Sequence, residues 1–241
     1  MTVILDGTEF SESASARTGL LRAPEYTLVT ATPRAERRLW ERYLRGAAQA
    51  YTRHGCAAAL DYDLVADGAS TARFFAVLGE DRKVVGGLRV QHRFEHAGQS
   101  HALEEWSGQR GQVPLVDAIE ARLDEGVVEV KTAWVDERSP IARDVAGQLS
   151  RLGLPIMELA GVGHMMATAA DHVLKRWESG GGRVDGSIPP TPFPDDRYRT
   201  QLMWWDRARL TEFTTPETWA RMRAEADALW TSDPTQLRSA A

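Results

Sequence analysis

Three segments decide how this chain folds: residues 72–78 (ARFFAVL), residues 83–90 (KVVGGLRV) and Val127–Val135 (VVEVKTAWV). The first is a short apolar run rich in strand formers. Glu80-Asp81-Arg82 is a polar turn, and the second segment resumes the strand pattern. After a looser polar stretch, the third alternates in character. Two charges sit inside these strands, Arg89 on the second and Glu129 on the third. A buried or half-buried sheet does not carry charges mid-strand unless they are paired or used. That pair marks the place to look for chemistry.

Working outward, Tyr26–Ala31 (YTLVTA) reads as a strand. Thr32-Pro33 supplies an N-cap residue and a proline at the first helical position, so a helix is expected from there to about Gly55. Its apolar stripe is Leu39, Trp40, Tyr43, Leu44, Ala47 and Ala48. Residues 91–112 are irregular and 114–123 read as a short helix. Ser139-Pro140 is expected to cap a helix that Gly153 stops. Residues 155–162 (PIMELAGV) then read as a strand and 165–178 as a helix. Gly180-Gly181-Gly182 is a break, residues 183–188 a strand, and Pro189, Pro190, Pro192 and Pro194 a stiff loop outside any central ladder. Residues 198–205 (YRTQLMWW) read as the last strand. Residues 216–230 form a helix whose stripe of Trp219, Met222, Ala226, Leu229 and Trp230 is expected to pack on the sheet or on a second chain, as in a homodimer. This order predicts an α/β (α+β) single domain over 26–206, a central mixed twisted sheet flanked by helices. A loose arm over 1–25 and a C-terminal helix and tail over 207–241 complete it.

Composition excludes several classes. The 241 residues are 43% hydrophobic and 26% charged with a net charge of −5, ordinary values for a globular protein and no footprint for nucleic acid. The lone Cys56 allows neither an internal disulfide nor a thiolate metal site. There is no basic, apolar leader and no stretch long enough to span a bilayer, so the expectation is a cytoplasmic protein.

Four local matches carry a resemblance. They are Asp61-Tyr62-Asp63 ahead of the first central strand, Val85-Gly86-Gly87-Leu88-Arg89-Val90, the strand opened by Glu129, and the proline-rich loop that feeds the closing strand. Together they resemble the GCN5-related N-acetyltransferase (GNAT) fold. Within it the likeness is to acyl-homoserine-lactone synthases and N-acyl amino acid synthases. The G-x-x-R-L strand of that group is similar to the Arg89 strand, and its E-x-S-R strand, which carries the proposed base, is similar to the Glu129 strand. The chain departs from the pattern at Lys131 and Thr132, where Ser and Arg are missing. It departs again at Arg138-Ser139-Pro140-Ile141-Ala142-Arg143, which has no glycine where the fold usually cradles a CoA pyrophosphate.

The resemblance implies transfer of an acyl group from an acyl-CoA or acylated carrier protein to the amine of an amino acid or similar small acceptor. Such transfer needs a base, an oxyanion contact and two aligned substrates. Glu129 is expected as base, with a carboxyl raised by burial; the alternative is an ion pair with Arg89 or Lys131. Arg89 is expected to position the acceptor, Asp61, Asp63 and Lys131 to recognise it, and His164 to serve as an acid. Arg138, Ser139, Arg143 and Trp134 are expected at the donor, with Phe193 and Trp204 lining the substrate pocket. His92, His96 and His101 beside Glu95, Glu104 and Glu105 raise a metalloenzyme as an alternative, but no ligand spacing supports it and no metal is expected. A GNAT-like binder that has lost catalysis is the other alternative.

Overall fold

The computed structural model describes residues 18–231. The expected arm over 1–17, the tail beyond 231 and the Trp230 side chain lie outside the described residues. The segments that open the sequence reading are strands as expected: β3 (Thr71–Gly79), β4 (Val84–Gln91) and β5 (Val127–Val135). The β3–β4 turn closes because Asp81 Oδ1 accepts from the Lys83 amide at 3.0 Å while Arg82 takes a left-handed φ of 60°. Before them come β1 (Gly19–Arg22), β2 (Tyr26–Ala31), α1 (Arg37–Arg53) and the short α2 (Tyr62–Val65). Between β4 and β5 lie α3 (Ala102–Glu105) and α4 (Gln112–Glu120). After β5 the order is α5 (Ala142–Ser150), α6 (Gly153–Ala160), β6 (His164–Ala170), α7 (Leu174–Ser179), β7 (Arg183–Val184), β8 (Thr200–Asp206), α8 (Leu210–Phe213) and α9 (Pro216–Thr231).

The strands form one eight-stranded sheet in the order β1-β2-β3-β4-β5-β6-β8-β7. Every neighbouring pair is antiparallel except β5 with β6, which is parallel. One face carries Phe75, Leu88, Val128 and Met165 under α5, α6 and α9, which contribute Leu149, Met157 and Met222. The other face carries two separate clusters. α1 lays Trp40, Tyr43 and Leu44 on Val29 and Phe74, and the 94–123 segment lays Trp106, Leu115 and Ile119 on Met166 and Leu202.

Several expectations are corrected. Gly19–Arg22, read as part of the arm, is an edge strand paired with β2. α1 starts at Arg37, four residues after Pro33, because Thr32 Oγ1 accepts from the Ala35 amide at 3.1 Å and holds 32–35 as a turn. Residues 153–160 are helix α6 where a strand was expected. Pro155 sits in its first turn, where the missing N–H would have had no helical partner. Gly161, at φ 62°, closes it. Conversely residues 165–170, expected as the start of a helix over 165–178, belong to strand β6 (His164–Ala170, HMMATAA). Met and Ala favour helices locally, but here the segment is gripped between β5 and β8.

Gly87 pairs with Ala76 and Trp134, and a Cβ there would run into the Phe75 carbonyl oxygen and sit 2.9 Å from the Tyr43 ring. Gly87→Val is therefore expected to cost about 1–3 kcal/mol. Urea denaturation measures this, and an unchanged midpoint contradicts the packing.

Candidate functional site

The site begins where a ladder stops. β5 and β6 pair only over Val127–Val130 with His164–Ala167. Beyond that, β5 runs on to Val135 against β4, and β6 runs on to Ala170 against β8. Their facing edges part and line a cleft of about 720 Å³. α5 and α7 border it with Arg143, Leu149 and Trp177, the end of α1 with Tyr51, and the proline-rich loop with Phe193 and Tyr198.

On the cleft-lining part of β5, Leu88 of β4 faces two residues, Thr132 and Ala133, which makes a β-bulge. Thr132 sits at φ 53°, a conformation that a β-branched residue adopts only under constraint. The constraint is visible: Tyr43 Oη donates to the Thr132 carbonyl at 2.7 Å and Arg89 Nε to Thr132 Oγ1 at 3.2 Å.

Beside the bulge lies a buried charge cluster. Lys131 Nζ donates to Glu105 Oε1 and to Thr168 Oγ1 and is 3.7 Å from Glu129 Oε1. Glu105 Oε1 also accepts from Thr168 Oγ1 at 3.1 Å and is 3.3 Å from His101 Nδ1. Glu129 Oε2 accepts from Ser100 Oγ at 3.1 Å and the His101 amide at 2.9 Å. Burial pushes the Glu129 carboxyl above its ordinary value, with Lys131 opposing. Burial acts on Glu105 in the same sense, but Lys131 and His101 outweigh it and hold this carboxyl low. Lys131 is raised, its burial overcome by the two carboxylates.

Of the residues expected at a site, Lys131, Trp134, Arg143 and Phe193 line the cleft. Glu129 is fully buried behind Lys131 and reaches the cleft only through it. The alternative pairing of Glu129 is with Lys131; Arg89 instead bonds Thr132. Burial lowers the Arg89 guanidinium pKa. His164 is away from the cleft, at the start of β6 against Trp204 and 3.6 Å from Glu125. The cause is the strand assignment: with β6 beginning at His164, its far end carries the cleft. Trp204 also packs elsewhere, under the Arg122 guanidinium, 4.4 Å from the ring centroid. Arg138 pairs with Asp136 on the surface, and Ser139 precedes α5 without lining the cleft. Asp61 and Asp63 are exposed, Asp61 lying 3.9 Å from His101.

Three residues that bring ligand atoms within 4.8 Å of one another are Asp61, His101 and Glu104. His92 and His96 do not join them: His92 contacts the Ala69 carbonyl and His96 caps a turn. Sequence reasoning missed Glu105, Thr168 and Tyr51. Glu105 was noted only as a neighbour of histidines. Its helical spacing from His101 was the available signal.

The raised Glu129 carboxyl has a consequence for stability. An acid whose folded pKa is raised gives its stabilisation below its unfolded pKa, and that is lost as pH rises through the folded one. The stability of Glu129→Gln relative to the parent is therefore expected to increase as pH rises from 4 toward neutrality, near the ordinary Glu value of about 4.3 and above. Chemical denaturation over that range reads it; a pH-independent difference contradicts it.

No family model matches the chain. It is 42% identical over 200 residues to the uncharacterized protein Rv1356c of Mycobacterium tuberculosis (strain ATCC 25618 / H37Rv), covering 83% of this chain and 76% of that protein. The same values hold for the uncharacterized protein Mb1391c of Mycobacterium bovis. Among solved structures, the AHL synthase LasI superposes with a TM-score of 0.53 at 11% identity, over 83% of this chain and 98% of that one. The CoA-dependent acyl-homoserine lactone synthase MesI gives 0.52 at 19%, over 82% and 94%. FeeM, an N-acyl amino acid synthase from uncultured soil microbes, gives 0.51 at 14%, over 84% and 97%. The sheet, its parting strands and these superpositions give the chain the GNAT fold, and by sequence it belongs to the family of the mycobacterial proteins Rv1356c and Mb1391c.

Proposed function

We propose that this protein is an N-acyltransferase that moves an acyl group from a thioester to the amine of a small acceptor such as an amino acid. The observation that carries the reading is the cleft between β5 and β6, with a bulged backbone, an ion cluster at one side and small apolar side chains along its walls. Acyl transfer requires alignment, proton removal and stabilisation of a tetrahedral oxyanion. The Thr132–Ala133 bulge offers backbone groups turned out of the ladder for the oxyanion. Ala133, Ala146, Ala167 and Ala169 leave room for an acyl chain along the strands. Trp134 lines the cleft and its buried Nε1 has no hydrogen-bond partner among the described residues, so a ligand carbonyl that reached it would satisfy it. The base belongs to the carboxylates that flank Lys131, of which Glu129 is the one the sequence points to.

Acyl-CoA is the donor we favour, with an acylated carrier protein as the alternative. MesI, CoA-dependent, and FeeM, an N-acyl amino acid synthase, support the two substrate classes. Arg143, at the start of α5 and on the cleft, supports this reading as a cation that could pair with the donor phosphates. A binder without catalysis is favoured by one observation: α5 begins after Ser139-Pro140-Ile141, with no glycine to let a pyrophosphate approach the backbone.

A thermal-shift series with CoA, acetyl-CoA, octanoyl-CoA and palmitoyl-CoA, followed by thiol-release assays with amino-acid acceptors, separates these readings. Melting temperature is expected to rise with chain length, by up to about 2.7 kcal/mol of stabilisation at a hundredfold excess over Kd. Ala146→Leu should shift the preference toward shorter chains. Binding with no thiol release from any thioester would move the conclusion to the non-catalytic binder; no shift and no release would remove the acyl-thioester reading.

A further inference from the structure

Of the two carboxylates beside Lys131, only Glu105 lines the cleft. Glu129 has no exposed surface, and its Oε2 is taken by Ser100 Oγ and the His101 amide. Glu105 Oε1 accepts from Lys131 Nζ and Thr168 Oγ1 and lies 3.3 Å from His101 Nδ1, while its Oε2 is buried with no hydrogen-bond partner among the described residues. Glu129 Oε1 also has no hydrogen-bond partner among the described residues, but it lies behind Lys131, 3.7 Å from Nζ. A buried carboxylate oxygen without a donor is costly, and an acceptor ammonium in the cleft would supply one.

Beyond Glu105 the same atoms lead outward. His101 turns Nδ1 to Glu105 Oε1 at 3.3 Å and Nε2 to Glu104 Oε2 at 3.3 Å and Asp61 Oδ2 at 3.9 Å. The Glu105 side chain is 1% exposed, whereas those of Glu104 and Asp61 are 67% and 52% exposed. The imidazole is the one bridge described between the buried carboxylate and the exposed ones.

We propose that Glu105 is the catalytic base of this cleft and that His101 carries its proton out to Glu104 and Asp61. The proposal rests on the acyl-transfer reading above. The acceptor ammonium gives one proton to the Glu105 carboxylate, and its freed lone pair forms the C–N bond at the thioester carbonyl carbon. When the tetrahedral adduct collapses, the C–S bond breaks with its electron pair on sulfur. The second nitrogen proton ends on the departing thiolate. Amide and thiol leave, and one proton remains on Glu105. Bulk water does not reach a carboxyl this buried, so the relay uses the His101 tautomer protonated on Nε2 alone: the bare Nδ1 takes the proton from Glu105, and Nε2 releases its own to Glu104 or Asp61. Glu129 is a positioning residue here: it holds the His101 backbone through Oε2 and Lys131 from behind. The charged and titratable groups around the relay include Asp61 at α2, Glu104 and Glu105 on α3, Glu129 and Lys131 on β5, the buried Arg89 on β4, which interacts electrostatically with Glu129, Tyr51 and Asp61, and Tyr51 on α1, which interacts electrostatically with Lys131 and Glu105.

The test is steady-state thiol release from octanoyl-CoA with a mixture of amino acids, run from pH 6 to 9 on the full chain. No release by the parent protein, from octanoyl-CoA or from an octanoylated carrier protein, removes the acyl-transfer reading, and the relay with it. Given release, His101→Asn is expected to lower kcat by about a hundredfold, leave the donor KM unchanged, alter the pH profile and recover in part with added imidazole. Glu105→Gln is expected to lose more activity than Glu129→Gln. Because Glu105→Gln weakens the hold on Lys131, Glu105→Asp is measured with it, and a folded Glu105→Asp that binds octanoyl-CoA normally and turns over slowly supports the base. Parent-like kcat and pH profile in His101→Asn, or a greater loss in Glu129→Gln than in either Glu105 variant, overturns the assignment while leaving acyl transfer standing.

Discussion

The parallel pairing of β5 and β6 lasts four residue pairs and then ends, and the rest of the site follows from that ending. Backbone amides and carbonyls are obligatory hydrogen-bonding groups. Where two central strands separate, each keeps its outer partner, β4 or β8, and presents an inner edge to the gap. Such an edge inside a fold needs water or a ligand. The bulge at Thr132 adds to the separation, since an extra residue bends its strand and increases local twist. Tyr43 and Arg89 hold that bend from the α1 side. α1 thus lies over the sheet for two reasons: its apolar stripe is buried there, and one of its tyrosines fixes the strand that borders the cleft.

The ion cluster is a second constraint, of a different kind. One ammonium sits between two carboxylates, all with little or no solvent contact. If both acids were ionised, these three groups alone would carry a net negative charge, which the buried Arg89 beyond them only partly answers. The environment resolves this by splitting them, with Glu105 bonded directly to Lys131 and held low, and Glu129 farther away and pushed up. Taking charges out of water offsets much of what their attraction returns, so such a cluster is weak evidence for stability alone. Its place on the wall of a cavity is what gives it functional interest.

The legible parts of the fold were those where local pattern and final environment agree. β3, β4 and β5 have strand formers, a polar turn between the first two, and neighbours on both sides. β6 failed that condition, because its buried faces erase alternation and Met and Ala carry a helical preference. The error propagated: with that segment read as a helix, the far end of β6 and its Thr168 dropped out of the expected site, and His164 was placed at a cleft it does not reach. Glu105 was obscured for another reason. It lies on a four-residue helix in a stretch without periodicity, and Lys131, which gives it meaning, is 26 positions away in the chain. Lys131 itself was visible as a charge on a strand. Its two acidic neighbours were brought to it by the tertiary fold.

The edge strands also bear on how this protein meets its own copies. A sheet edge with free N–H and C=O groups is a template for another chain's strand. Among the described residues one edge, β1, has only four residues, and α9 lies against it, with the Leu229 carbonyl close to Gly19. The other edge, β7, has two residues and is followed by the proline-rich stretch. A large, twisted, eight-stranded sheet therefore offers little length for strand-to-strand addition at either end. For the sheet as the described residues build it, extension by another strand is disfavoured by the shortness of its borders rather than by surface charge.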